Sequence, residues 1–220
     1  MKKRSAAASK SSPGARERIV RTALKLFYQE GIRATGIDRI IADSGVAKMS
    51  FYRHFPSKND LIAECLTVHH QNLMGRFAEA VDRHPLRQGT GLEALADALD
   101  EWFREPGFRG CPFINALAES PLRKSVPNKK VRAYKAELES FIALQAARLG
   151  WESPQMVASW VMIALEGTIV RAQTLGSAAA AEECRELLKM IAVEARKPSR
   201  AGREEEAGPP GGQLMLPGLF

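Results

Sequence analysis

The sequence predicts an all-α fold, and three observations support this class. Apolar residues recur at helical spacing along most of the chain, and no run has the alternation typical of a half-buried strand. Glycine and proline mark turns between these segments. With 220 residues, 45% of them hydrophobic, the chain can bury a substantial core in one ordinary domain or two small ones.

The first quarter of the chain predicts two short helices that follow a longer one. The first helix is expected over about 15–30, with Gly31 ending it, because one face carries Val20, Ala23, Leu24 and Phe27. A second helix over about 37–43 leads into a tight turn at residues 44–46. The third begins near Ala47 and ends by Phe55, since Pro56 disfavours helical geometry in its predecessor.

The rest of the chain predicts longer helices. Ser57 and Asp60 have the spacing of a capping box, so a long fourth helix is expected to begin there. Loop signals then place further helices near 91–104, 112–120 and 128–149, and two more over 154–175 and 178–196. This last pair is rich in apolar residues, so we expect either a hairpin that packs on its copy in a homodimer or one that completes its own core.

Charge is concentrated at the start of the chain. Residues 1–61 contain 13 Lys and Arg against 5 Asp and Glu, a net of +8, whereas the other 159 residues contain 19 against 20, a net of −1. Such clustering predicts contact with a polyanion, although a solvated basic arm would have the same composition. The apolar runs are too short to span a bilayer, and no export signal precedes them, so a cytoplasmic protein without membrane contact is expected.

Enzymatic and metal-binding functions find little support in the sequence. It has no G-x-S-x-G, phosphate-loop or H-E-x-x-H motif, and its four histidines do not combine with carboxylates at metal-ligand spacing. Cys65, Cys111 and Cys184 lie far apart, which argues against a zinc knuckle or a disulfide framework. We therefore expect no catalytic residues, no metal and no cofactor.

The layout of the first helices is that of a helix-turn-helix DNA-binding domain. Phe51 and Phe55 are four residues apart and can face inward together with Val46. The rest of this helix carries charged, hydroxyl and aromatic groups suited to phosphates and base edges: Lys48, Met49, Ser50, Tyr52, Arg53 and His54. His54 has an alternative role, since a partly charged imidazole also suits a helix C-terminus.

These residues resemble the N-terminal domain of TetR-family transcriptional regulators. The resemblance covers about 50 residues: A-L-x-L-F-x-x-x-G from Ala23, then I-x-x-I-x-A from Ile37, then G-V-x-K-x-x-F-Y-R-H-F-P-S-K-x-x-L from Gly45. It implies that the third helix is the recognition helix, with Met49, Ser50, Tyr52, Arg53 and His54 in contact with bases or phosphates. It further implies phosphate contacts by Thr35, Lys48 and Lys58. The implied partner is a double-stranded, palindromic operator.

The resemblance also implies that the larger part of the chain binds a small-molecule effector and dimerises. The expected division is a disordered basic arm over 1–14, a DNA-binding domain over 15–62, an effector-binding and dimerisation domain over 63–197, and a disordered linker and tail over 198–220. Asn115 and Glu119 share a helical face in a G-C-P-F-x-x-N-x-x-x-E-like segment. The effector candidates are Trp102, Phe103, Cys111, Phe113, Asn115, Glu119, Trp160 and Glu166, although buried polar groups of this kind also satisfy loop ends.

The C-terminal segment 213–220 is apolar and follows a linker too polar to fold. It resembles peptides that dock on the bacterial DNA sliding clamp, through Gln213, Leu214, Leu216, Leu219 and Phe220; it could instead fold back on its own dimer or stay disordered. The whole chain thus predicts a transcriptional regulator, most simply a repressor released by its effector. The alternatives are a DNA-associated protein without an effector and an enzyme that has acquired a helix-turn-helix.

Overall fold

The protein is all-α, as predicted. A computed structural model describes residues 13–83, 92–119 and 125–196, and within them the chain forms nine helices and no strand. Residues 1–12 of the expected basic arm and the expected linker and tail over 198–220 lie outside these residues. Docking of the tail on a sliding clamp therefore stays a prediction.

The helices are numbered in chain order. They are α1 (Ala15–Glu30), α2 (Ile37–Ser44), α3 (Lys48–His54), α4 (Lys58–Arg83), α5 (Glu93–Phe103), α6 (Pro112–Glu119), α7 (Val126–Arg148), α8 (Pro154–Leu175) and α9 (Ala179–Glu194). Helices α1, α2 and α3 form one group, in which α1 packs on α4. Helices α5, α7, α8 and α9 form the other, in which α5 and α7 pack against α4, and α8 and α9 pack on these two. Helix α4 is thus shared by both groups of helices.

Local signals in the sequence set the helix ends around α2, α3 and α4. Gly45 adopts a left-handed conformation with φ 62°, and its N–H donates to the carbonyl of Ala42. At the start of α4 the capping box is formed: the N–H of Asp60 donates to the Ser57 hydroxyl at 3.2 Å, and the N–H of Ser57 donates to the Asp60 carboxylate at 3.1 Å. These two ends leave α3 only seven residues.

Helix α3 is held in place by its two phenylalanines. Phe51 is 0% exposed, Phe55 is also buried, and Val46 packs in the same core, as the sequence predicted. The guanidinium of Arg16, on α1, lies 5.5 Å from the centre of the Phe55 ring, which adds a cation–π contact to this core. The opposite side of α3 is therefore left facing solvent.

We predict that Phe51→Ala lowers the free energy of unfolding by about 3–5 kcal/mol, because it removes a fully buried aromatic side chain and leaves a cavity. Urea unfolding followed by circular dichroism measures this change. Met49→Ala, on the exposed side of the same helix, is the control and should change stability by less than about 0.5 kcal/mol. Equal effects of the two substitutions would contradict the burial of Phe51.

Candidate nucleic-acid interface and its attachment

The exposed side of α3 presents a mixed set of polar and apolar groups. Met49 is 77% exposed and Tyr52 is 39% exposed. Lys48, Arg53 and His54 are also exposed, and Ser50 is half-buried. The structure thus places six of the sequence-predicted contact residues on one short helix. Their side chains include two cations, a hydroxyl and a phenol.

Lys48 stands at the first position of α3 and faces α2. Its amine lies 3.5 Å from the carboxylate of Asp38, and both side chains are largely exposed. An exposed pair of this kind contributes at most about 1 kcal/mol. The lysine can therefore leave Asp38 for a phosphate at little cost.

Thr35 does not lie on this surface, which corrects the expectation from the resemblance. Its side chain is 1% exposed, and its hydroxyl donates to the carbonyl of Gly31 at 2.7 Å. The backbone N–H of Thr35 donates to the same carbonyl at 3.3 Å, so both groups of Thr35 close the turn that follows α1. Thr35 shapes the entry to α2, and its side chain is not available to a phosphate in this arrangement.

Arg18 is a residue that the sequence analysis missed. It lies on α1, and its guanidinium donates to the carbonyl of Gly45 at 3.4 Å, in the turn between α2 and α3. Arg18 and Gly45 are 27 positions apart in the sequence, so no local sequence pattern indicates this contact. It links the turn to the helix behind it.

Tyr28 ties α1 to the segment that precedes α6. Its hydroxyl donates to the carbonyl of Gly110 and accepts from the N–H of Arg109, both at 2.9 Å. Burial raises the pKa of this hydroxyl, so it stays protonated and can donate. Gly110 has φ 79° and lies directly against Gln173 of α8: a Cβ at this position would be 2.0 Å from the Gln173 side-chain oxygen.

Glu119, at the end of α6, makes a second link to the first helices. Its carboxylate accepts from the N–H of Arg33 at 2.7 Å and packs over Gly31, where a Cβ would lie 3.3 Å from a carboxylate oxygen. Lys58 is near the same link: it is half-buried, and its amine is 5.9 Å from the centre of the Phe27 ring. Burial lowers the pKa of Lys58, while the charge of Glu119 opposes that shift.

The contacts of Tyr28 and Glu119 form the junction between the first helices and the rest of the protein. Six of the eight effector candidates lie close to this junction. Trp102 and Phe113 line a cavity of about 260 Å³ between α1, α4 and the segment from α5 to α6. Phe103 packs beside it on Phe108, Cys111 is buried, and the Asn115 amide donates to the carbonyl of Arg109 at 2.9 Å. Glu119 is the sixth, and its carboxylate is already engaged.

The other two candidates lie elsewhere. Trp160 lines an apolar groove of about 540 Å³ between α8 and α9, and this groove shares no lining residue with the cavity. The carboxylate of Glu166 pairs with the amine of Lys135 at 2.9 Å. Helical spacing in the sequence did not show that Trp160 and Glu166 lie away from the other six candidates.

A polar cluster between α4 and α7 also escaped the sequence analysis. The His70 ring stacks on Tyr134 with centroids 4.1 Å apart, and its Nε2 lies 2.6 Å from the Glu137 carboxylate. Thr67 and Lys130 add hydrogen bonds to the Tyr134 hydroxyl at 2.8 and 3.1 Å. The members from α4 and those from α7 are more than sixty residues apart, so only the folded chain brings them together.

No helix within 13–83, 92–119 or 125–196 is long and apolar enough to cross a bilayer. In the same ranges, no three His, Cys, Asp or Glu side chains come close enough together to hold a metal ion.

Comparison with known proteins identifies the family. Residues 19–65 match the family model of bacterial regulatory proteins of the tetR family. The HTH-type transcriptional regulator YxaF of Bacillus subtilis is 43% identical over 167 residues, which cover 68% of this chain and 84% of YxaF. The chain belongs to the TetR family.

Other similar proteins agree in fold and in class. The structure of SCO4454, a TetR-family transcriptional regulator from Streptomyces coelicolor, superposes with a TM-score of 0.75 at 27% identity, over 83% of this chain and 96% of that one. The transcriptional repressor KstR2 of Mycolicibacterium smegmatis is 32% identical over 79 residues, 35% of this chain and 38% of KstR2. The protein is therefore a helix-turn-helix transcriptional regulator, and the enzyme alternative is excluded.

We predict that His69, at the wall of the junction cavity, makes stability depend on pH. Burial lowers its pKa to about 4, whereas the unfolded chain takes up this proton near pH 6.5. Between these values the unfolded state binds more protons, so the free energy of unfolding falls as pH falls. The ring keeps some contact with solvent, so we expect a loss of about 1 kcal/mol between pH 6.5 and pH 5.

Urea unfolding at pH 7, 6 and 5 measures this loss, and His69→Gln should remove it. His54→Gln is the matched control, because His54 is exposed on α3. If wild type and His69→Gln lose stability in parallel as pH falls, His69 is not the group responsible.

Proposed function

We propose that this TetR-family regulator is a homodimeric repressor that binds a palindromic operator and releases it when a small molecule occupies its C-terminal part. In this proposal residues 15–62 contact DNA, and residues 63–197 bind the effector and dimerise. The observation that carries it is the exposed side of α3, which offers base-reading and phosphate-binding groups on a helix fixed from behind by Phe51 and Phe55.

The contacts that we propose to the operator divide into two kinds. Met49, Ser50, Tyr52, Arg53 and His54 project from α3 and suit base edges or adjacent phosphates. Lys48 and Lys58 suit phosphates, Lys48 from the start of α3 and Lys58 from the start of α4. We leave Thr35 out of this set because its side chain is buried. The repressor name of KstR2 supports repression as the outcome of binding.

Dimerisation through α8 and α9 is supported by an apolar face that the chain leaves exposed. On α8 Met156, Ile163 and Val170 recur every seven residues, and Ile163 is 68% exposed. On α9 Leu187, Met190 and Val193 are exposed, and Leu187 lines the groove between the two helices. Large exposed apolar patches mark protein interfaces, and a second copy offers a self-complementary surface.

Release by a small molecule is supported by the junction. Tyr28 and Glu119 fix α1 and the turn after it to the segment around α6 through hydrogen bonds, beside the packing of α1 on α4. A ligand can shift this arrangement only by binding one orientation more tightly than another. A cavity beside these bonds gives a ligand that opportunity.

Selection of bound fragments from sheared genomic DNA tests the DNA-binding role. We predict that wild type enriches a short palindrome and that Lys48→Ala combined with Tyr52→Ala loses it, because a phosphate contact and a base-facing phenol are removed together. The single variant Lys48→Ala, which keeps Tyr52, should still enrich the palindrome. Its binding should depend on salt less steeply than that of wild type, by about one unit of log K per log of salt concentration. Lys129→Ala, an exposed lysine of α7, is the control and should bind as wild type does.

Enrichment of the same palindrome by the double variant would remove α3 as the reading helix. If wild type enriches no sequence at all, its DNA binding is electrostatic only and the proposal of a specific operator fails.

Ile163→Glu tests the dimer. We predict that it yields a monomer at micromolar concentration, since a buried, unpaired carboxylate in the interface would weaken the dimer by more than about 3 kcal/mol, a hundredfold or more in Kd. Analytical ultracentrifugation measures the mass. Val126→Glu places the same charge on an exposed β-branched position of α7 and should leave the dimer intact. A dimer that survives Ile163→Glu would exclude this face.

A further inference from the structure

The junction cavity has the size and shape of a site for a small molecule. It is formed by α1, α4, the end of α5 and the segment that leads into α6, and its volume of about 260 Å³ is just below the range of pockets for drug-sized ligands. It lies between the DNA-binding helices and the C-terminal helices. Any occupant therefore touches both parts of the protein.

One wall of the cavity is aromatic. Trp102 and Phe108 meet edge to face, with ring centroids 5.4 Å apart and planes at 86°, and Phe113 and Tyr28 complete the wall. Phe108 is only half-buried in the empty protein. A flat ring gains both apolar burial and favourable aromatic geometry against such a wall.

The polar lining has a surplus of hydrogen-bond donors and positive charge. Arg76 and Glu105 form an ion pair and offset each other, whereas Lys25 adds a second positive charge. Within the described residues, the Lys25 amine and the Asn72 amide make no hydrogen bond or ion pair with the protein. His69, also in the lining, is neutral at physiological pH because burial lowers its pKa to about 4. The positive charge of Lys25 thus favours an anionic oxygen, to which the NH2 group of Asn72 can donate.

We propose that this cavity binds a small aromatic acid, with the ring against Trp102 and Phe108 and the carboxylate facing Lys25 and Asn72. This inference rests on the effector release proposed above, for which it gives the place and the chemical class of the effector. It takes only Trp102 and Phe113 from the effector candidates of the sequence and adds residues from α1 and α4.

Occupancy acts on the DNA-binding helices through Tyr28. The Tyr28 side chain lines the cavity, and its hydroxyl holds Arg109 and Gly110. A carboxylate in the cavity competes with the Gly110 carbonyl for the hydroxyl proton. Since Gly110 also lies against Gln173 of α8, loosening this bond frees α1 from the helix that carries the proposed dimer face.

Calorimetric titration of the full chain with 1-naphthoate and with 1-naphthamide tests the site. The two probes share one ring system and differ in charge, so naphthoate should bind with a Kd several-fold lower. Lys25→Gln should raise the naphthoate Kd about two- to fivefold, as expected for a partly exposed charge pair. Arg21→Gln removes the same charge one turn earlier on α1, outside the cavity, and should leave the Kd unchanged.

Asn72→Trp fills the cavity from an exposed position of α4 and should abolish naphthoate binding while the melting temperature without probe stays unchanged. Equal Kd values for acid and amide, no binding of naphthoate to wild type, or a naphthoate Kd unaffected by both Lys25→Gln and Asn72→Trp would each overturn the site. Should Asn72→Trp unfold the chain, the comparison of Lys25→Gln with Arg21→Gln decides the matter.

The link to DNA is tested separately on the selected palindrome. Saturating naphthoate should weaken operator binding at least fivefold in wild type and leave it unchanged in Asn72→Trp. Binding of naphthoate in the cavity without this loss would overturn the coupling through Tyr28. If no palindrome is ever selected, the proposed function fails, and calorimetry still decides whether the cavity takes an aromatic acid.

Discussion

The burial of Phe51 and Phe55 is the constraint on which the rest depends. An isolated helix of seven residues is not stable in water, because too few hydrogen bonds offset the cost of nucleation. Helix α3 exists because these two rings are held in the core behind it. Its exposed residues lie outside this core and can be selected for what they contact.

Attachment of the first helices to the rest of the protein follows a different physical rule. Beside the packing of α1 on α4, hydrogen bonds join the side chains of Tyr28 and Glu119 to backbone groups of distant segments. Such bonds require defined distances and angles and contribute modestly once solvent competes. They therefore specify the orientation of α1 relative to these segments and add only modestly to its stability.

Most of the fold was predictable from the sequence because its signals are local. Helical periodicity, the turn at Gly45 and the capping box at Ser57 involve neighbours within a few residues. The junction was not predictable in the same way, because Tyr28 and Gly110 are 82 residues apart. Nothing in the sequence around Tyr28 indicates which backbone group its hydroxyl contacts. The phosphate contact expected of Thr35 came from a family resemblance. A resemblance identifies the matching position but does not show that the Thr35 hydroxyl donates to the Gly31 carbonyl.

Helix α4 has a mechanical consequence for the proposed dimer. It runs unbroken for 26 residues, from the DNA-binding helices deep into the C-terminal bundle, so it is about 39 Å long at 1.5 Å per residue. A rod of that length amplifies angles: a tilt of about 5° at Arg83 displaces Lys58 by about 3 Å, roughly the length of one hydrogen bond. Two such rods, tilted in opposite senses in the two copies, would shift a pair of recognition helices out of register with the duplex without unfolding any part of either chain.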